Sequence, residues 1–105
     1  MLLAILSTIV TTACGSPHAA LPSGATVLAL GDSLTYGTGA TAETSYPVFL
    51  AAATHWNVIN AGVPGHTAAE GCARIHALLA EHRPALVLVF LGGNDFLRLV
   101  SRSPR

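Results

Sequence analysis

Two uninterrupted apolar runs, each ended by glycine, constrain the fold of this chain most strongly. Ala25 to Leu30 form the first run, which Gly31 ends, and Ala85 to Leu91 form the second, which Gly92 ends. Neither run alternates apolar with polar residues, and unbroken runs of this length are typical of strands buried on both faces of a parallel sheet. Residues 56–60 form a third, weaker candidate strand. The sequence therefore predicts a parallel sheet.

Helical signals lie between the candidate strands. Pro47 is suited to the first position of a helix that runs towards His55. A second helix is predicted from Thr67 to His82, because Thr67 and Glu70 form a capping box. Three of its apolar residues share one face, namely Cys72, Ile75 and Leu79, and Cys72 is expected to be a small buried residue. Strands that alternate with helices indicate an α/β layer fold with right-handed crossovers.

The composition fits one small globular domain and excludes several functions. Of the 105 residues, 51% are hydrophobic and 10% are charged, and the net charge is zero. The chain has no Lys and therefore no basic face for nucleic acid, no P-loop and no Schiff-base chemistry. Residues 37–42 lack the last glycine of a dinucleotide-binding fingerprint. No His, Cys or carboxylate pair has metal-ligand spacing, so we expect no metal and no cofactor, and we infer no specific protein partner.

The N-terminal residues resemble an export signal. From Leu2 to Ala13 the chain is mostly apolar and uncharged, yet it is shorter than the roughly 20 residues that span a bilayer. Thr11 to Cys14 resembles a bacterial lipobox, which implies a lipidated Cys14, membrane attachment through it, and a location in the periplasm or cell envelope. An ordinary cleaved signal peptide and a buried N-terminal helix are the alternatives. We predict a signal peptide over residues 1–14, a tether over 15–24 and a folded domain over 25–105.

Polar loops follow the three candidate strands, at residues 31–37, 60–67 and 92–95. The carboxyl ends of parallel strands share one edge of the sheet, where α/β proteins bind their ligands. If the first strand lies between the other two, the three loops meet over Ser33. A serine, a glycine-bearing turn and the side-chain amide of Asn94 are the components of a nucleophile with an oxyanion hole.

These loops resemble the sequence motifs of the GDSL or SGNH hydrolases, which are serine esterases and lipases with a three-layer flavodoxin-like α/β fold. Gly31-Asp32-Ser33-Leu34 matches the first motif, Gly62 to Thr67 resembles the second, and Gly92 to Asp95 matches the third. The resemblance runs from about Thr26 to Leu99 and is greatest to the thioesterase I/lysophospholipase and arylesterase branch. It implies hydrolysis of small carboxylic esters or acyl thioesters.

The resemblance also implies individual roles. Ser33 corresponds to the nucleophile, and its N–H, the N–H of Gly65 and the side-chain amide of Asn94 correspond to the oxyanion hole. Gly62 is the second candidate for the glycine of the hole. The choice of Gly65 agrees with its position just before the predicted second helix, because a helix N-terminus favours negative charge.

The general base of this family is a His three residues after an Asp, and that pair is missing here. Asp32 is followed at this spacing by Thr35, and Asp95 by Arg98. Both carboxylates are expected to brace their loops. His66 is a weak candidate for the base, because a helix N-terminus disfavours the imidazolium that a base must form.

The chain is accordingly expected to hold the N-terminal part of an SGNH hydrolase domain, truncated after the third strand. Without the catalytic His and Asp, the chain as given is expected to be inactive. The alternative is a truncated, non-catalytic remnant. An apolar third strand with no neighbour on one side also predicts that residues 15–105 aggregate when expressed alone.

Overall fold

The computed structural model of the chain describes residues 19–41 and 43–102. Along the chain the elements are β1 (Thr26–Gly31), α1 (Ser33–Tyr36), α2 (Tyr46–Thr54), β2 (Asn57–Gly62), α3 (Ala68–His82), β3 (Leu86–Phe90) and α4 (Gly93–Arg102). The predicted signal peptide, Cys14 and residues 15–18 of the predicted tether lie outside the described residues.

The three strands form one parallel sheet in the order β2-β1-β3. The central strand β1 pairs along its whole length with β2, from Thr26 opposite Asn57 to Gly31 opposite Gly62. On its other side Gly31 lies opposite Phe90 of β3. The predicted α/β class and parallel sheet are confirmed, and β1 lies between the other two strands as the convergence of the three loops requires.

The core is built around β1. Val27, Leu28 and Ala29 have no exposed surface, because β1 is flanked by a strand on each side and covered by helices. Leu28, Leu30 and Ala61 form the central cluster, against which five half-buried residues pack: Ile59, Ile75, Leu78, Val87 and Leu91. Burial of these apolar side chains fixes the position of β1, and with it the position of the turn that follows.

The inward face of α3 differs from the predicted one. Cys72 and Leu79 are exposed, which contradicts the prediction of a buried Cys72. A Cβ atom at Gly71 would overlap the side chain of Leu91, so α3 packs closely against the residue that follows β3. Gly71, Arg74, Ile75 and Leu78 therefore face inward, and Cys72 lies on the exposed flank of the helix.

Two helices were not predicted. Residues 33–36 form the short helix α1, and α4 follows β3, so that Asn94 and Asp95 lie in the first turn of a helix instead of a loop. Within the described residues, α4 is the element that follows the third strand. No helix within residues 19–41 and 43–102 has both the length and the hydropathy to cross a membrane.

The third strand is more exposed than its composition predicts. Within the described part of the chain β3 pairs with β1 alone, and it forms one edge of the sheet. Val89 is 61% exposed and Phe90 is 53% exposed, which agrees with the prediction that the third strand lacks a neighbour on one side. An edge strand has no neighbour on one side to cover its apolar side chains.

Candidate active site

The turn after β1 carries Ser33 at the first position of α1. The neighbouring Asp32 is buried, and its Oδ1 accepts a hydrogen bond from the N–H of Leu34 at 3.0 Å, which caps the helix. A Cβ atom at Gly31 would overlap the buried side chain of Thr35. The predicted bracing role of Asp32 is confirmed, and the first motif is a tight turn that needs glycine at its start.

The two glycines of the second motif differ in their surroundings. The N–H of Gly62 already donates to Oδ1 of Asn60 at 2.9 Å, and a Cβ atom at Gly62 would overlap the backbone of Tyr36. Gly65 has a φ of +81° and open space where a Cβ atom would lie. Gly62 is thus a packing position, whereas Gly65 is an exposed turn residue with a backbone conformation that favours glycine.

Two backbone donors at this end of the sheet are unengaged. No described residue accepts a hydrogen bond from the N–H of Ser33 or from the N–H of Gly65. Free backbone N–H groups next to a helix N-terminus are suited to a negatively charged oxygen. The two backbone N–H groups that the resemblance assigns to the oxyanion hole therefore have no acceptor among the described residues.

The N-terminus of α3 is capped from two directions. The Oγ1 of Thr67 accepts from the N–H of Glu70 at 3.3 Å, which is the N-cap half of the predicted capping box. The Glu70 carboxylate accepts from the Thr67 hydroxyl, whereas a full capping box would have it accept from the backbone N–H of Thr67. From α4, Oδ2 of Asp95 accepts from the N–H of Ala68 at 2.9 Å, which confirms that Asp95 braces a loop. His66 lies beside this cap, with its Nε2 3.3 Å from Oε2 of Glu70.

Helix α4 holds the second motif through further polar contacts. The Nδ2 of Asn94 donates to the backbone carbonyl of His66 at 3.0 Å, and Nη2 of Arg98 donates to the carbonyl of Gly65 at 3.0 Å. An amide NH₂ group has two hydrogens, so Asn94 keeps one for another acceptor. A Cβ atom at Gly93 would lie 3.9 Å from Oδ2 of Asp32, which brings the third motif next to the first.

The structure thus brings the three predicted motifs to one edge of the sheet. Asp32 lies next to Gly93, and Asn94 is bonded to the loop that contains Gly65. Within residues 19–41 and 43–102 there is no group of His, Cys, Asp or Glu side chains that could hold a metal ion. This edge of the sheet carries a hydroxyl, two backbone N–H groups that donate to no described residue and an oriented amide. Groups of these kinds can serve as a nucleophile and as hydrogen-bond donors to an oxyanion.

One polar residue of this edge was not identified from the sequence. Arg74 of α3 donates to the carbonyls of Gly31 and Ala61, at the ends of β1 and β2. The signal was present, because residues 71, 74, 75 and 78 share a helical face and three of them are small or apolar. An arginine on that inward face indicates a specific polar contact.

Comparison with known proteins agrees with this geometry. The model of the GDSL-like lipase/acylhydrolase family matches residues 29–105, which is most of the chain. The chain belongs to the GDSL-like lipase/acylhydrolase family. The matched residues include all three motifs at the sheet edge.

Individual members of this GDSL-like family are similar in sequence and in structure. Thioesterase 1/protease 1/lysophospholipase L1 of Escherichia coli strain K12 is 46% identical over 77 residues, which cover 70% of this chain and 36% of that protein. The arylesterase of Vibrio mimicus is 44% identical over 77 residues, covering 69% of this chain and 38% of that protein. The crystal structure of AlinE4, an SGNH-hydrolase family esterase, superposes with a TM-score of 0.68 at 41% identity, covering 75% of this chain and 46% of that one.

These figures confirm the resemblance inferred from the motifs and the α/β fold. This GDSL-like chain spans less than half the length of each of these three proteins. Esterase and thioesterase activity describes the relatives, and its transfer to this chain depends on the site residues.

Proposed function

We propose that this chain supplies the nucleophile and the oxyanion hole of a serine hydrolase that cleaves carboxylic esters or acyl thioesters. The observation that carries the proposal is the strand order β2-β1-β3, because it brings the turn of Ser33 to the same edge of the sheet as the Gly65 loop and Asn94. The free N–H groups of Ser33 and Gly65 support the same assignment.

In the proposed reaction Oγ of Ser33 attacks the acyl carbonyl carbon while a base accepts the hydroxyl proton. The carbonyl oxygen becomes an oxyanion, which accepts hydrogen bonds from the N–H groups of Ser33 and Gly65 and from Nδ2 of Asn94. Collapse of this intermediate expels the alcohol or thiol, which takes the proton from the base. Water then hydrolyses the acyl-enzyme and restores the Ser33 hydroxyl.

We propose that the base lies outside the three motifs. Nowhere in the 105 residues does His follow Asp by three positions. His66 is a poor substitute, because it lies at the N-terminus of α3, where the helix dipole disfavours the imidazolium that a base must form. Because a serine hydroxyl without a base is a weak nucleophile, the 105-residue chain alone is expected to show little turnover.

The substrate class is proposed from the site and from the relatives together. The described site has no metal cluster and no phosphate-binding lysine, whereas an oxyanion hole serves acyl transfer. The relatives include a protein named thioesterase 1/lysophospholipase L1 and one named arylesterase, and these names refer to thioesters and to esters. A short-chain aryl ester and an acyl thioester are therefore the two substrates to compare.

The experiment uses the full chain and a graft that supplies a base. In the graft, hereafter the grafted hydrolase, residues 21–102 replace the matching segment of E. coli thioesterase 1. It starts at Leu21 because the carbonyl of Leu21 accepts from Nε1 of Trp56 at 3.3 Å. Hydrolysis of both substrates is measured for both proteins.

Ser33→Ala is expected to abolish turnover by the grafted hydrolase. Thr38→Ala is the matched control, because Thr38 is exposed and its backbone bond to the carbonyl of Ser33 survives the change. Turnover that persists in Ser33→Ala contradicts the nucleophile assignment. A grafted hydrolase that folds but lacks Ser33-dependent turnover supports the non-catalytic alternative.

A further inference from the structure

Arg74 makes an unusual contact for a charged residue on an inward helix face. It is half-buried, with Nη1 2.7 Å from the carbonyl oxygen of Ala61 and Nη2 2.9 Å from that of Gly31. The two carbonyls belong to different strands, Ala61 to β2 and Gly31 to β1. One planar group thus connects neighbouring strands where both end.

These carbonyls lie at the bases of two catalytic loops. Gly31 is the last residue of β1, two positions before Ser33, and Ala61 precedes the loop that leads to Gly65. The carbonyl of Gly31 also accepts from the N–H of Val63 at 3.1 Å. The Arg74 guanidinium therefore continues the connection between β1 and β2 at the point where the strands give way to the loops.

Attachment of α3 to the sheet does not require this arginine. Ile75 and Leu78 of the same helix face already pack against the core, and apolar burial achieves this without the cost of desolvating a charge. None of the ion pairs among the described residues involves Arg74, and its Nε is buried without a hydrogen-bond partner. Burying a cation whose only partners are carbonyl groups costs free energy of folding. We therefore look for the role of Arg74 in the groups that it positions.

We infer that Arg74 is a positioning residue of the hydrolase, fixing the separation between the Ser33 turn and the Gly65 loop by bridging the carbonyls of Gly31 and Ala61. This inference rests on the proposed function of Ser33 and Gly65. Two fixed N–H donors stabilise an oxyanion only if their separation matches it, and a misplacement of about 1 Å can cost roughly 100-fold in rate. The planar guanidinium fork holds two acceptors at a set spacing, which the single ammonium of lysine cannot do.

The first test compares Arg74→Lys and Arg74→Met in the grafted hydrolase. Arg74→Lys keeps the charge but loses the fork, and kcat is expected to fall about 10-fold while KM changes less than about 2-fold. Arg74→Met removes both and is expected to lower kcat about 100-fold. Arg83→Lys is the matched control, because Arg83 is exposed at the end of α3 and is expected to keep the wild-type kcat.

Thermal unfolding of each variant shows whether a loss of rate reflects loss of fold. Rates are measured well below the lowest melting temperature, so that a purely structural role predicts unchanged kcat in the folded fraction. A wild-type kcat in Arg74→Lys overturns the inference while leaving the proposed function intact. Loss of activity in Arg74→Lys with persistent activity in Ser33→Ala overturns the proposed function instead.

A second readout uses the full chain and needs no turnover. Hydrogen exchange of backbone amides, followed by mass spectrometry, is expected to accelerate at residues 31–37 and 60–66 in Arg74→Lys, because the bridge between their strand ends is lost. Residues 46–54 of α2, to which Arg74 donates no hydrogen bond, should exchange as in the wild type. Unchanged exchange at residues 31–37 and 60–66 overturns the inference.

Discussion

Asn94 donates its side-chain amide to the backbone carbonyl of His66 at 3.0 Å, which joins the third motif directly to the loop of the second. This bond fixes the plane of the amide group, so the second hydrogen of Nδ2 has a defined direction. Arg98 of the same helix α4 bonds to the carbonyl of Gly65. The position of one proposed donor of the oxyanion hole therefore depends on the other.

The first prediction concerns this amide. Asn94→Ala in the grafted hydrolase is expected to lower kcat on the order of 100-fold with little change in KM, because an oxyanion-hole donor acts mainly in the transition state. Asn57→Ala is the control, because Asn57 is exposed at the start of β2 and its side chain is remote from the sheet edge that carries Ser33. Steady-state kinetics with an aryl ester measures both variants. A rise in KM with an unchanged kcat would assign Asn94 to substrate binding instead.

The second prediction separates the backbone strain of Gly65 from its proposed function. Gly24 and Gly65 both have a φ of +81° and open space at the Cβ position. Alanine at either position is expected to lower the free energy of unfolding by about 1 kcal/mol, because L residues are strained in this conformation. Only Gly65→Ala is expected to lower kcat as well, by at least about 10-fold, because it displaces a proposed donor.

Urea unfolding of the full chain and kinetics of the grafted hydrolase measure the two effects. Equal kcat values for Gly24→Ala and Gly65→Ala would show that Gly65 is not part of the oxyanion hole. The N–H of Gly62 would not replace it without local change, because that group is bonded to Asn60.

The elements that the sequence predicts well are those whose signals are local or purely apolar. The run Ala25 to Leu30 became the buried central strand, and Thr67 caps α3 as expected. The convergence of the three loops followed from one condition, that β1 lies between its neighbours. The sequence alone could not decide this condition, because strand order depends on long-range packing.

The errors share a different physical cause. The apolar pattern predicts Cys72 inward together with Ile75, but the close approach of Gly71 to Leu91 rotates α3 so that Ile75 stays inward and Cys72 is exposed. The same rotation brings Arg74 to the strand ends, a contact hidden from any pattern that treats charged residues as exposed. Helix α4 was not predicted, because Gly92 and Gly93 were interpreted as a turn.

The third prediction concerns Cys14, which lies outside the described residues. If Thr11 to Cys14 is a lipobox, the full chain expressed in a bacterium is expected to partition into detergent with an increased mass. Cys14→Ser is expected to give an unprocessed or soluble form. Cys72→Ser, which alters an exposed thiol, should leave partitioning unchanged. A mature protein that is soluble and unmodified contradicts the prediction.

The fourth prediction concerns the exposed edge of β3. Within the described residues this strand pairs with β1 alone, and Val89 and Phe90 are 61% and 53% exposed. An open groove of about 690 Å³, lined in part by Leu34 and Tyr46, runs along it and adds further apolar surface. Unpaired N–H and C=O groups beside such side chains form a template for pairing between chains, so the full chain is expected to self-associate as its concentration rises.

A charge on this edge is expected to suppress the association, because lysine on an edge strand opposes the addition of another strand. Val89→Lys should shift the chain towards monomer in size-exclusion chromatography and light scattering. Val48→Lys is the matched control, because it adds the same charge at a 41% exposed position of α2, away from the edge. If both variants suppress association equally, net charge is the cause. A wild-type chain that stays monomeric and unfolds cooperatively would show that the β3 edge does not drive self-association.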